Sequence, residues 1–143
     1  MRQPSTLTRV PTWPELLAEL IEQRTDAPFR WGRHDCALFA CDAVRVVAGV
    51  DPADGLRGTY RTESGAELII AQHGSLEALA ANQFALHGLG DCAPAFAQRG
   101  DVALVMQGNM RALGVVVGDA VAVPAAQGLA FLPLAAIQRA WSV

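Results

Sequence analysis

Charge is scarce in this chain. Asp, Glu, Lys and Arg make up only 17% of residues, against about a quarter in average soluble domains. The net charge is −3, so no overall electrostatic grip on nucleic acid or anionic lipid is expected. Cysteine is scarce too. Cys36, Cys41 and Cys92 are an odd set with no C-x-x-C pair, and no histidine stands at a metal-finger spacing. A disulfide framework and a zinc site are therefore disfavoured, and neither a metal nor a cofactor is expected. Long apolar runs are missing as well. The best candidate, "ALGVVVGDAVAVPAA", is split by Gly118-Asp119 and falls short of the roughly 20 residues of a membrane span. The opening "MRQPSTLTRVPTWP" is too polar and too proline-rich for a signal peptide. These absences predict a soluble product of the cytoplasm with reduced thiols.

What is present is apolar. Hydrophobic residues reach 52%, with alanine and valine prominent, so either the core is built from small side chains or a partner covers part of the surface. At 143 residues the chain is long enough for one core, and no repeat or linker divides it, so residues 1–143 are read as a single domain.

The first half reads as helical. Thr12 followed by Glu15 fits a capping box, with Leu16, Leu17, Leu20 and Ile21 as one apolar stripe that stops before Pro28. Asp35 suits the cap of a second helix, whose face is Phe39, Ala40, Ala43, Val44 and Val47, and Gly49 suits its stop. "ESGAELIIAQ" predicts a third helix, and Ser75 the cap of a fourth over "LEALAANQF". Residues 51–62 and 85–100 read as loops, the second with a short helical turn before Arg99. The second half changes period. "DVALVM", "ALGVVVG", "AVAV" and "LAFLPL" are short runs separated by tight-turn residues, and "RAWSV" closes the chain as a last strand. Helices followed by strands predict an α+β fold, N-terminal helices packed on a C-terminal antiparallel sheet.

One stretch carries chemistry: "FRWGRHDCALFACDAV", residues 29–44. A cysteine in the first turn of a helix sits among unpaired N–H groups at the positive dipole end, which favours its thiolate. Those N–H groups can also hold an oxyanion. A nucleophile nevertheless needs a base within reach and a third group to orient that base. The alternative for Cys36 is an inert thiol filling a helix–sheet contact. Cys41, five residues on, is read as facing elsewhere, and Cys92 as a loop residue.

The segments "FRWGRHDCALF", "RGDVALV" and "ALGVVVG" resemble the NlpC-type peptidases, papain-like enzymes that cut cell-wall peptides. Together with "DPADGLRGTYRT" and "GLAFLPLAAIQRAW", they look like a bacteriophage and prophage branch of that superfamily found beside tail-tip genes. The resemblance implies a papain-like, NlpC-like fold with Cys36 at the nucleophile position. It makes Asp35 and Trp31-Gly32 the structural frame, and Gly100-Asp101 the start of the first strand. It also places Ala112 where the peptidases carry their catalytic histidine, and Phe29 where they commonly carry a tyrosine. The third position falls near Val121 to Val123, where no side chain is polar. A methyl group cannot take a proton from sulfur.

Other residues are weighed against this gap. His34 is a substitute base two residues before Cys36, or an exposed loop residue of the turn. His73 suits a helix C-terminus. Arg111 stays protonated and is a poor proton acceptor. Arg57, Tyr60 and Arg61 either line a groove for a carboxylate or acidic loop, or the arginines cap helices and pair with Asp51 and Asp54. Trp13, Trp31 and Trp141 read as core or interface anchors.

The resemblance and the vacant base position lead to three expectations. The first is a structural protein of a phage or prophage tail tip or baseplate hub. It would have a degenerate peptidase fold, be made in the host cytoplasm and dock on hub or distal-tail proteins. The second is an active peptidase or amidase that meets peptidoglycan as DNA enters the cell. The third is an assembly factor absent from the finished particle.

Overall fold

The computed structural model describes residues 4–143. Four helices come first: α1 (Trp13–Arg24), α2 (Cys36–Ala48), α3 (Glu63–His73) and α4 (Leu76–Leu86). Six strands follow: β1 (Gly90–Cys92), β2 (Val102–Gln107), β3 (Met110–Val116), β4 (Ala120–Ala125), β5 (Gly128–Pro133) and β6 (Ile137–Ser142). All pair antiparallel in one sheet of order β1-β6-β2-β3-β4-β5. The molecule is therefore α+β, as its helix-then-strand pattern predicts. No helix among the described residues is long and apolar enough to cross a membrane.

Capping residues set most of the helix limits. The Asp35 carboxylate accepts from the N–H of Leu38, Thr62 from that of Gly65 and Ser75 from that of Ala78, each satisfying a donor that the helix leaves open. Gly49 ends α2 in the left-handed region. The capping box of α1 does not form. Thr12 makes no side-chain cap bond, and its backbone (φ −96°, ψ 18°) lacks the extended form that a capping side chain needs. Short loops join the strands: β2 to β3 through Gly108-Asn109, and β3 to β4 through a turn in which the N–H of Val117 bonds the carbonyl of Ala120.

Two apolar layers result from strand alternation. Val102 and Leu104 of β2, with Leu113 and Val115 of β3, join α1, α2 and α4 in the main core. Ala103 and Val105, Ala112 and Val116, and Val121 and Val123 form a second core on the other face of the sheet. Cys36 at the start of α2 packs against it, as do Leu132, Ala97 and Ala136, the last two at short 3-10 turns. Gly114 lets β3 and β4 close up, since a Cβ there would lie 2.5 Å from the carbonyl oxygen of Ala122.

One loop expectation changes. Cys92 belongs to a strand: β1 adds to β6, with Cys92 opposite Ala140. Three residues between turns carry too little periodicity to read as a strand. Arg9 also acts far beyond its neighbourhood. Its Nε donates to the carbonyl of Val143 at 3.0 Å, Nη1 to that of Arg99 at 2.7 Å and Nη2 to Asp101 at 3.1 Å. Asp101 is fully buried and accepts the N–H groups of Val143 and Gln98.

Candidate functional site

Helix α2 begins at Cys36 because Asp35 is held from three sides. Its Oδ1 accepts from the N–H of Leu38 at 2.9 Å, and its Oδ2 from the N–H of Gly32 at 3.0 Å and the hydroxyl of Tyr60 at 2.6 Å. Gly32 has φ +79°, and an added Cβ would lie 2.3 Å from the carbonyl oxygen of Tyr60. Only glycine allows the two loops to approach this closely. Trp31 stands edge-on to Phe29 with ring centroids 4.8 Å apart.

Cys36 borders an apolar cavity of about 240 Å3 between α2, α3, α4 and β3. Trp31, Tyr60, Ala66, Ala80, Phe84 and Leu113 are among its walls. Burial pushes the Cys36 thiol up to about 11, and the negative charge of Asp35 adds to the rise. The backbone N–H groups of Leu113, Ala37 and Cys36 itself work the other way without overcoming it. At neutral pH the sulfur is a protonated thiol. Cys36 as a residue is half-buried; the helix dipole favours the thiolate, but the apolar surroundings of the sulfur outweigh it.

Among the described residues no imidazole borders this cavity. Ala112 lies in the second core, against which Cys36 also packs, and its methyl group accepts no proton. Arg111 and Leu113 are the β3 neighbours that line the cavity. Val121 and Val123 are aliphatic and fully buried in the second core.

His34 is buried, not the exposed loop residue expected. It is 7% exposed, stands edge-on to Phe39 and bonds Arg24 through Nδ1 at 3.0 Å. A guanidinium only donates, so Nδ1 accepts and the proton sits on Nε2. That Nε2 is buried with no partner among the described residues. Burial, then the positive charge of Arg24, pull the His34 pKa below its usual 6.5, with Asp42 and Asp35 opposing. His73 and His87 each use Nδ1 on a carbonyl four residues back, Ile69 and Gln83. Both serve helix ends.

The group Arg57, Tyr60 and Arg61 is divided by the fold. Tyr60 borders the cavity and Arg61 is exposed. Arg57 bonds Asp51 through Nε at 2.7 Å and Nη2 at 3.1 Å, and Asp42 through Nη2 at 2.7 Å. Its partner beside Asp51 is thus Asp42, where Asp54 was expected, because α2 turns Asp42 toward the 51–62 loop. Arg24 joins the cluster at 2.9 Å from Asp42, and Arg45 lies 3.9 Å from the same carboxylate. This ion cluster was missed, although one Asp inside the apolar run "CALFACDAVRVV" signalled it. Cys41 also borders the cavity, since the space extends along α2 beyond one face. Its thiol is raised by burial. Trp13 lies under Arg9 and Trp141 against Phe84, both as anchors.

All three cysteines are free thiols. No group of three His, Cys, Asp or Glu residues among the described residues is placed to hold a metal ion. No curated protein matches the chain. Residues 8–143 match the family described as "Domain of unknown function (DUF6950)", and the chain belongs to that family.

Proposed function

We propose that the chain is a non-catalytic structural component of a phage or prophage tail tip, with a papain-like, NlpC-type fold that has lost its peptidase chemistry. The environment of Cys36 carries this reading. The sulfur stands at the helix start that a nucleophile needs, yet it is held protonated, and no imidazole among the described residues borders the same cavity. The order of helices before an antiparallel sheet, with Asp35-Cys36 opening a sheet-packed helix, agrees with the resemblance in the sequence. Docking on hub or distal-tail proteins is supported by the low charge content and by exposed Phe96, Phe131 and Leu134.

The test is peptidase activity on peptidoglycan stem peptides, with Cys36→Ala alongside. No Cys36-dependent cleavage is expected. Such cleavage would instead establish the second reading, a cell-wall peptidase or amidase, which the placement of Cys36 beside an open cavity favours. Mass spectrometry of purified particles then separates a virion component from an assembly factor: peptides of this chain should be present.

A further inference from the structure

The helices leave a hole behind Cys36. Its roughly 240 Å3 equals about eight water-sized volumes of ~30 Å3 each. Ala53, Ala66 and Ala80 are buried in its wall, where longer side chains would close it. Helix α3 covers the space without filling it, since Ala66 is the one buried residue of that helix. The polar side chains on the inner wall are already engaged. Tyr60 donates to Asp35, and Gln83 donates through Nε2 to the carbonyl of Pro52. An apolar hole of this kind takes apolar ligands in preference to water.

The mouth differs from the interior. Glu63, Glu67, Met110 and Arg111 border the cavity and are exposed. Arg111 lies 3.4 Å from Glu77, whereas Glu63 and Glu67 have no ion-pair partner among the described residues. The uncommitted charge at the opening is negative.

We propose that this cavity binds a medium-length aliphatic chain, of about eight carbons by volume, whose neutral or cationic head group stays at the mouth beside Glu63 and Glu67. The assignment rests on the reading of Cys36 as a wall residue without catalytic function. An anionic head would meet like charge from the two exposed glutamates, a repulsion that salt weakens. Among the described residues Trp31 is the only tryptophan bordering the cavity, so its emission reports occupancy.

The test is calorimetric titration of the full chain with n-octylammonium, n-octanol and n-octanoate, each below its aggregation concentration, with tryptophan emission in parallel. Octylammonium and octanol should bind saturably at one site, and octanoate about tenfold more weakly. Ala66→Leu and Ala80→Leu fill the space, and each should weaken binding at least about tenfold while melting at or above the wild-type temperature. Should either leucine fail to fold, the smaller Ala66→Val serves, with a graded loss expected. Absence of saturable binding by octylammonium and octanol overturns the site. So does undiminished binding in a folded, filled variant. Tighter binding of octanoate than of octylammonium overturns the head-group assignment. Stem-peptide cleavage by Cys36 alongside saturable octyl binding would overturn the proposed function and leave the cavity assignment standing. An inert Cys36 with no octyl binding would do the reverse.

Discussion

The hydroxyl of Tyr60 donates a 2.6 Å hydrogen bond to Oδ2 of Asp35, the residue that starts the Cys36 helix. A loop residue 25 positions away thereby holds the cap of α2 in place. Hydrogen bonds to a charged acceptor contribute about 1.5–3 kcal/mol, and Tyr60 is only half-buried, so Tyr60→Phe should cost about 1–2 kcal/mol. Urea denaturation measures it. A loss no larger than that of an exposed control such as Arg61→Ala would show that the cap stands without Tyr60.

Cys36 should alkylate slowly at neutral pH, with a rate that rises about tenfold per pH unit toward a midpoint near 11. The raised pKa acts in one direction here: below the midpoint the thiol is protonated, and only the small thiolate fraction reacts. Iodoacetamide labelling with peptide mapping gives the profile. A midpoint below the ordinary free-thiol value of about 8.5 would contradict the burial described for the sulfur.

His34 makes stability depend on pH. Its folded-state pKa lies below the unfolded 6.5, so as pH falls through 6.5 the unfolded chain takes up a proton that the folded chain refuses. Stability contributed by the neutral ring is complete above that value and is lost as the solution is acidified. Between pH 8 and pH 5 the wild type should lose more melting temperature than His34→Asn. Parallel curves for the two proteins would show that another group drives the acid response.

Asp42 accepts from Arg24 at 2.9 Å and from Arg57 at 2.7 Å, and its side chain is 12% exposed. Asp42→Ala leaves Arg24 without its carboxylate and Arg57 with Asp51 alone, and should cost about 1–3 kcal/mol. The contrast is Asp91, 64% exposed and 3.3 Å from Arg139, where alanine should change stability by less than about 1 kcal/mol. Equal losses at the two sites would dispose of the distinction.

Gly32→Ala should destabilise by at least about 2 kcal/mol, because it adds left-handed strain to a clash with backbone. At Gly49, φ +73° with nothing within 4 Å of an added Cβ, only the strain of about 1 kcal/mol applies. Thermal melts of the two variants should rank in that order.

Much of the fold could be read from local signals. Asp35, Gly49 and Ser75 act within their own turns, so the limits they mark are visible to a short window of sequence. The four apolar runs of the second half and the loops between them are equally local. What stayed hidden depends on residues meeting across the chain. His34 looked like part of a turn until α1 brought Arg24 to it and Phe39 came edge-on. Tyr60 gained its place in the site from Asp35, and Arg57 its second partner from the inner turn of α2. The cavity was also invisible, since Ala53, Ala66 and Ala80 come from three separate elements. Small residues announce nothing until the space between them is seen.

The strand order has a kinetic consequence. β6 lies between β1 and β2 although it is the last strand in sequence, and the Arg9–Val143 bond joins residues 134 positions apart. Such long-range closures slow folding, because the chain must lose its freedom before those contacts reward it. During synthesis, β2 emerges well before the partner that will cover its outer edge. Until residues 137–142 arrive, a valine-rich strand with open N–H and C=O groups is exposed to other nascent chains. Yield on overexpression should therefore depend on how fast β6 docks, independently of how stable the finished sheet is.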